Sequence, residues 1–462
     1  MSNKSPVPTA DDPWAPYTPD RDNPWNRERV VHLHRRAAFA ATWEEQERDL
    51  KGGPQQAVDR LINPKSSALK EPEREFETLA RTIGDAAMVS GSPARLKAWW
   101  IYRMLYSPDP LGERLTLMWH NHFATSNRKV DDLVLMREQN DIFRKFARAP
   151  FGELLQAVLK HPAMLVWLDA DANRKRKPNE NLARETLELF TLGVGNYTEN
   201  DVQSAARAFT GWGVADGKFT SRETRHDTSE KTLLGKTGNL NGDDLVAAIL
   251  EHPATAKRLA WRICRTFLGE SPVGDRNQTA LANGLRAKNL DVGWAVETVL
   301  RSQLFFSQQS LRNRIDGPVE WAIGMLHSME QTNPPPSTLL LAEWTTKMGQ
   351  DLFYPPNVGG WPEGRAWLSS QSVVARAKFG AALVEGRLWY PPLTPDLHKL
   401  VRRHRNSDAL HDSVSWFMEL LWGESNRDTV DEIVDAVVSK PDGDKLGTAV
   451  AILLARPESQ LS

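Results

Sequence analysis

The segment Asn179-Glu-Asn-Leu-Ala-Arg-Glu-Thr-Leu-Glu-Leu-Phe190 holds the densest chemistry in the chain. Wound on a helix at about 100° per residue, Leu182, Ala183, Thr186, Leu187, Leu189 and Phe190 cover one side. Glu180, Asn181, Arg184, Glu185 and Glu188 take the other. Glu185 and Glu188 then share a neighbourhood. A like-charge pair in a sheltered cleft holds one proton at neutral pH, and it can also bind a divalent cation. Both are routes to acid–base or hydrolytic chemistry. Arg184 and Glu188, one turn apart, can pair. The plainer reading is a solvated helix face with one ion pair. Asn179 and Glu180 then serve only as cap and first-turn acid.

Trp119-His-Asn-His122 is the second cluster. In an extended segment His120 and His122 point the same way, as two metal ligands or a ligand and a base would. On a continuing helix they diverge by about 200° and the pairing fails. A mixed site of His120, His122, Glu185 and Glu188 is chemically reasonable, provided the two segments meet. His32 and His34 repeat the spacing, so the pattern has little weight alone. His226-Asp227 is a third candidate, with Arg222, Arg225 and Lys231 nearby as anion ligands or as solvated loop charges. Arg35 and Arg36 pose the same choice. Asn357-Val-Gly-Gly-Trp-Pro-Glu-Gly364 reads as a tight turn presenting Trp361, either to a flat ligand or to the body of the protein.

Helices must position these groups. Thr42 with Glu45 forms a capping-box signal, and Ser92-Pro93 and Asp109-Pro110 open further helices. Helical spacing continues over 132–149, 151–160, 182–192, 198–209, 243–251, 253–268, 294–305, 318–329, 340–349 and 365–382. Residues 211–244 are glycine-rich, lack a helical period and leave room for a small hairpin. Alternating β-branched runs are few, which disfavours a parallel sheet. The expected fold is mostly α: one large multi-helical domain with long irregular loops. An extended arm spans 1–28, a helical core 29–390, and a helical extension packed on that core 391–462.

Composition narrows the functions. The 462 residues carry 58 basic and 59 acidic side chains, so no global field attracts nucleic acid. Only Arg-Lys-Arg-Lys at 174–177 favours such a partner. The single Cys264 lies in an apolar run and reads as core; no intramolecular disulfide can form. No 18-residue apolar stretch suggests a membrane span, and the N-terminus lacks an apolar leader. A cytoplasmic location is therefore expected. Seventeen tryptophans fit either a heavily aromatic core or stacking platforms for a sugar or base.

Taken in order, the motifs resemble one family. They are His32-Leu-His-Arg-Arg-Ala-Ala-Phe39, the run 115–126 around Trp119-His-Asn-His-Phe123, and Pro178 to Thr198. Ala205 to Trp212, His226-Asp227 with Leu234-Gly235, and 355–368 follow. The chain is similar to the DUF1800 family over roughly 32–380. His34 stands where Leu is usual, and Ala40 where Gly is usual. The resemblance implies that 119–122, 179–188, 226–227 and 357–364 surround a shared cleft. It names no reaction.

The leading expectation is a hydrolase-like or carbohydrate-active enzyme acting on a carbohydrate or other polar small molecule. Glu185 and Glu188 would be acid and base, with Glu180 beside them and His120 and His122 orienting substrate or holding a divalent metal. Arg184, Asn181, His226, Asp227 and Trp361 would line the pocket. The alternative is a non-enzymatic helical scaffold or binding protein whose polar motifs are structural networks.

Overall fold

A computed structural model describes residues 12–64, 70–270, 273–439 and 443–462. Among them are 22 α-helices and two small antiparallel sheets of two strands each. The mostly helical single domain read from the sequence is the observed one. Helix starts follow the capping signals closely. Thr42 and Glu45 close a capping box on the Trp43–Ile62 helix, and Thr198 does the same with Asp201. Proline opens the Pro93–Tyr106, Pro110–His122, Pro253–Leu268 and Pro318–Ser328 helices. The missing N–H costs nothing at a first turn, where that group has no helical partner.

The sequence reading missed Lys70–Ser90, Asn127–Val130, Pro162–Trp167 and Asp275–Ala287. Two of these, of four and six residues, are shorter than two turns, too short to show a period. The expected 365–382 helix begins later, as Ser370–Val384, capped by Ser369. The glycine-rich stretch folds into two hairpins instead of one. Strand β1 (Trp212–Ala215) pairs with β2 (Lys218–Ser221), and β3 (Lys231–Leu233) with β4 (Lys236–Gly238). Asp216-Gly217 and Leu234-Gly235 make the turns, all four with positive φ. Two consecutive positive-φ residues give a turn whose twist matches its strands.

Residues 12–26 lie against the body. The Trp14 indole donates to the Asn277 carbonyl at 3.0 Å and the Trp25 indole to the Asp49 carbonyl at 3.1 Å. Residues 1–11 of the expected arm lie outside the described residues.

The Pro110–His122 helix is buried almost all round, as a helix through the middle of a large protein must be. It separates two apolar clusters. Leu111, Leu115, Met118 and Trp119 belong to one, with Phe151, Leu187, Phe190 and Ile263. Leu117 belongs to the other, with Trp100, Trp321, Phe353, Trp361 and Trp416. That second cluster also takes in Leu397 to Leu454, so the last helices share a core with the Pro93–Tyr106 and Pro318–Ser328 helices. Trp99, Trp100, Trp119, Trp321 and Trp416 are all but fully buried, which makes them core residues, not stacking platforms.

Charges between the clusters are paired, as buried charges must be. Glu113 accepts from Arg103 at 2.9 Å and from Arg144 at 2.6 Å. Arg35 reaches Asp316 at 2.8 Å and the Ser459 carbonyl at 2.8 Å. Arg36 donates to the Phe267, Ser310 and Ser462 carbonyls and to Asn313. Of the two readings of Arg35 and Arg36, internal pairing is the one realised.

Candidate functional site

The Pro110–His122 helix takes the helical branch at Trp119–His122, so His120 and His122 face opposite clusters. The metal pair of the extended reading is not formed. His120 stacks on Trp361 with ring centroids 5.2 Å apart and planes at 19°. Trp100, Phe143 and Phe353 enclose it within 5.7 Å. Burial alone drives its pKa down to about 3, and neither ring nitrogen has a hydrogen-bond partner among the described residues. It is therefore a neutral aromatic ring in an aromatic cage. His122 does different work. Its Nε2 lies 2.9 Å from the Phe190 carbonyl, a group at a helix C-terminus with no N–H of its own. Burial, then Arg262 and Arg258, holds His122 well below an ordinary histidine pKa, so the neutral ring donates from Nε2.

The residue between them forms the third face. Asn121 Oδ1 accepts from the Trp361 backbone N–H at 2.7 Å, and its Nδ2 donates to Glu363 at 3.1 Å. The 357–364 loop is thus a tight turn wrapped on Asn121. Gly360 has φ +92°, and a Cβ there would sit 2.3 Å from Asn121 Oδ1. Trp361 points inward and is buried, so the ligand-presenting role considered for it is replaced by packing on His120. Glu363 takes Arg262 at 2.7 Å and also Arg265. Burial pushes its carboxyl up, but the two guanidiniums outweigh that and hold it below the usual carboxylate range.

Arg258, Arg262 and Arg265 fall on one face of the Pro253–Leu268 helix at i, i+4 and i+7. The Trp261 ring lies 4.3, 5.1 and 5.7 Å from their guanidinium carbons. Arg258 donates to the Leu189 carbonyl at 3.3 Å. That face therefore links the Glu363 loop to the acidic segment.

The acidic segment is α-helical over Asn181–Glu185, then widens to a π-helix over Thr186–Thr191. Thr186 Oγ1 donates to the Leu182 carbonyl at 2.6 Å, and Thr191 Oγ1 donates to the Thr186 carbonyl at 2.5 Å. The 100° projection fails past Thr186, because bonds now span five residues. Arg184 consequently does not pair with Glu188. It turns back to Glu180 at 2.8 Å and across to Glu199. Glu188 instead accepts from the Tyr197 hydroxyl at 2.6 Å. Burial and then the Glu188 charge raise the half-buried Glu185 carboxyl, with Arg184 opposing. The Tyr197 phenol is pushed up to about 12 by burial and then by Glu188. Asn181 is exposed, and its Nδ2 donates to Asp169 at 3.2 Å.

A sequence profile described as "Protein of unknown function (DUF1800)" matches residues 32–461. The chain belongs to the DUF1800 family. The match reaches past the 380 to which the motifs alone extended, taking in the last helices. No curated protein and no solved structure matches the chain.

Of the four DUF1800 motifs expected around one cleft, three meet in space. The 119–122 helix end, the 357–364 loop and the 179–190 segment are joined through Asn121, His122 and the Arg258–Arg265 face. The fourth reaches the 179–190 segment through the 173–177 loop: Lys175 N–H donates to the Arg225 carbonyl at 2.8 Å, and Asn179 N–H to Asn173 Oδ1 at 3.0 Å. Asp227 takes Arg207 Nε at 2.7 Å, and Arg207 first, helped by Ser229, drives its carboxyl far below the usual range. His226 Nδ1 lies 2.9 Å from the Thr210 carbonyl. Arg184 binds the Glu199–Ala208 helix at its first residue and Asp227 binds it at Arg207. Eight residues of helix, about 12 Å, separate the two.

Among the described residues no group of three or more His, Cys, Asp or Glu is placed to hold a metal ion. No described helix is long and apolar enough to cross a membrane. Cys264 is buried, its thiol pushed up to about 12 by burial. Sequence reasoning missed Asn121, Arg262, Arg265 and Glu363. The i, i+4, i+7 arginines were a readable signal. Asn121 sits between two histidines, and an amide side chain carries no catalytic signal of its own.

Proposed function

We propose that the chain is an acid–base enzyme of hydrolase-like or carbohydrate-active type, working from Glu185 and Glu188. The observation that carries this reading is the asymmetry of the two carboxyls. Glu185 is raised by burial and by its neighbour's charge, so it retains a proton more readily. Glu188 accepts a hydrogen bond from the Tyr197 hydroxyl at 2.6 Å. Two neighbouring carboxyls with unlike partners, one of them raised, suit acid–base catalysis. Glu185 donates a proton to a leaving oxygen, and Glu188 activates water or stabilises developing positive charge. Arg184, Glu180 and Asn181 form the rim that a polar substrate, such as a sugar, would meet.

The test is a hydrolysis screen with chromogenic glycosides and esters on the wild type, Glu185→Gln and Glu188→Gln. A hydrolysed substrate whose turnover falls at least ~100-fold in Glu185→Gln supports the reading. Glu188→Gln should also lower the pKa of Glu185, measured by carbon-13 NMR titration, because the repelling charge is gone. Unchanged turnover together with an unmoved titration would overturn it.

A second reading, a non-enzymatic helical scaffold, is favoured by one observation. Asn121, His122, Arg184, Glu363 and Asp227 find hydrogen-bond partners within the chain. Under it, Glu185→Gln and Glu188→Gln change stability alone.

A further inference from the structure

A small cavity lies where the two apolar clusters part. Arg114, Asn121, Arg262, Arg314, Gln350 and Glu363 are among its walls, with Glu320 and Thr266 completing the polar lining. Its volume is about 50 Å³, and one water fills roughly 10–15 Å³ of such space. It therefore has room for a few waters or one carboxylate- or phosphate-sized group.

The lining has spent its acceptors and kept donors. Both Glu363 oxygens are taken, by Arg262 and Asn121 on one side and Arg265 on the other. Both Glu320 oxygens are taken by Arg314, at 2.6 and 2.9 Å, with Arg114 beside them. Asn121 Oδ1 is held by Trp361 N–H. Two donor side chains remain. Arg262 is 7% exposed; its Nη1 is on Glu363, and its Nε and Nη2 make no hydrogen bond to the described residues. Gln350 is 5% exposed, and its Oε1 accepts from Val319 N–H at 3.0 Å. That bond fixes which way the amide faces and leaves Nε2 without a partner among the described residues.

Charge points the same way. Among the described residues, Arg35, Arg114, Arg262, Arg265 and Arg314 form ion pairs with only three carboxylates, Asp316, Glu320 and Glu363. Buried guanidinium in excess of carboxylate is costly unless an anion compensates it. A ligand that accepts without donating, carries negative charge and matches guanidinium geometry is an oxyanion.

We propose that this cavity binds one small oxyanion, a carboxylate or phosphate group, through Arg262 and Gln350. The proposal is independent of the acid–base reading of Glu185 and Glu188, since no residue is shared.

The experiment is calorimetric titration of the full chain with inorganic phosphate and, separately, with acetate, on the wild type and Gln350→Glu. The substitution is isosteric. It keeps an oxygen for Val319 N–H and sets a second carboxylate oxygen where Nε2 stood. We expect saturable one-to-one binding in the wild type, at least about tenfold weaker in Gln350→Glu. We also expect the unfolding midpoint of Gln350→Glu, without added anion, to equal or exceed that of the wild type. Preference for phosphate over acetate would identify a phosphoryl ligand, and the reverse a carboxylate. Absence of binding by either anion overturns the proposal. So does binding that Gln350→Glu leaves intact, or a Gln350→Glu midpoint well below the wild type, which would mean the cavity has no use for negative charge.

Discussion

His120 shows how a residue type can mislead about chemistry. Its ring packs among Trp100, Phe143, Phe353 and Trp361, and its nitrogens do nothing that a phenyl carbon could not do. Its depressed pKa has a consequence for stability. A base held neutral by folding is protonated first in the unfolded chain. Between 6.5 and about 3 the unfolded chain binds the extra proton, so stability falls as pH falls through that window. His120→Phe should therefore change stability at pH 7 by less than about 1.5 kcal/mol. It should also flatten the loss of stability on acidification from 6.5, followed by urea unfolding at a series of pH values. A loss above about 3 kcal/mol at pH 7 would show that the imidazole nitrogens matter after all.

At the scale of elements, local irregularities place the polar groups. The π-helical turn over Thr186–Thr191 moves Glu188 off Arg184 and onto Tyr197. The end of that helix is closed from outside: Arg258 takes the Leu189 carbonyl, His122 the Phe190 carbonyl, and Asn196 the Leu192 carbonyl at 3.1 Å. The 357–364 turn is the other such element. Gly360 combines a positive φ with contact against Asn121, so a side chain there is strained in conformation and collides as well. Gly360→Ala should lower stability by more than about 1 kcal/mol. It should also release the Asn121–Glu363 contact, visible as faster amide hydrogen exchange at Trp361. Unchanged protection at Trp361 would mean the turn does not depend on this close approach.

Over the whole molecule, the first and last helices hold one another. Arg35 and Arg36, on the Arg27–Ala37 helix, donate to carbonyls of Leu421, Ser459 and Ser462. Leu397 to Leu454 share an apolar cluster with residues from Phe39 onward. Ending the chain after Tyr390 would expose the partners of Trp416, Phe417 and Leu453 and strip acceptors from two buried guanidiniums. We expect the full chain to unfold in one cooperative calorimetric transition, and the 1–390 chain to lack that transition and aggregate. A 1–390 chain that stays soluble and melts cooperatively would make residues 391–462 a separate folding unit.

The amino-acid sequence determined most of the helices, because capping residues, proline starts and apolar spacing act within a few residues of one another. Pro253–Leu268 and the Thr42–Glu45 box needed nothing else. It also determined the family, through motifs in fixed order. The short Asn127–Val130 and Pro162–Trp167 helices were hidden because they hold no full period. What only the tertiary structure decided was which polar side chains meet. Whether His120 and His122 converge depended on the segment staying helical, and the burial of that helix on every side settled it. Glu320 and Glu363 drew their arginine partners from elements dozens to hundreds of residues away, except for Arg314. Such partners are chosen by the exclusion of water from the seam between two cores, a condition that no local spacing encodes.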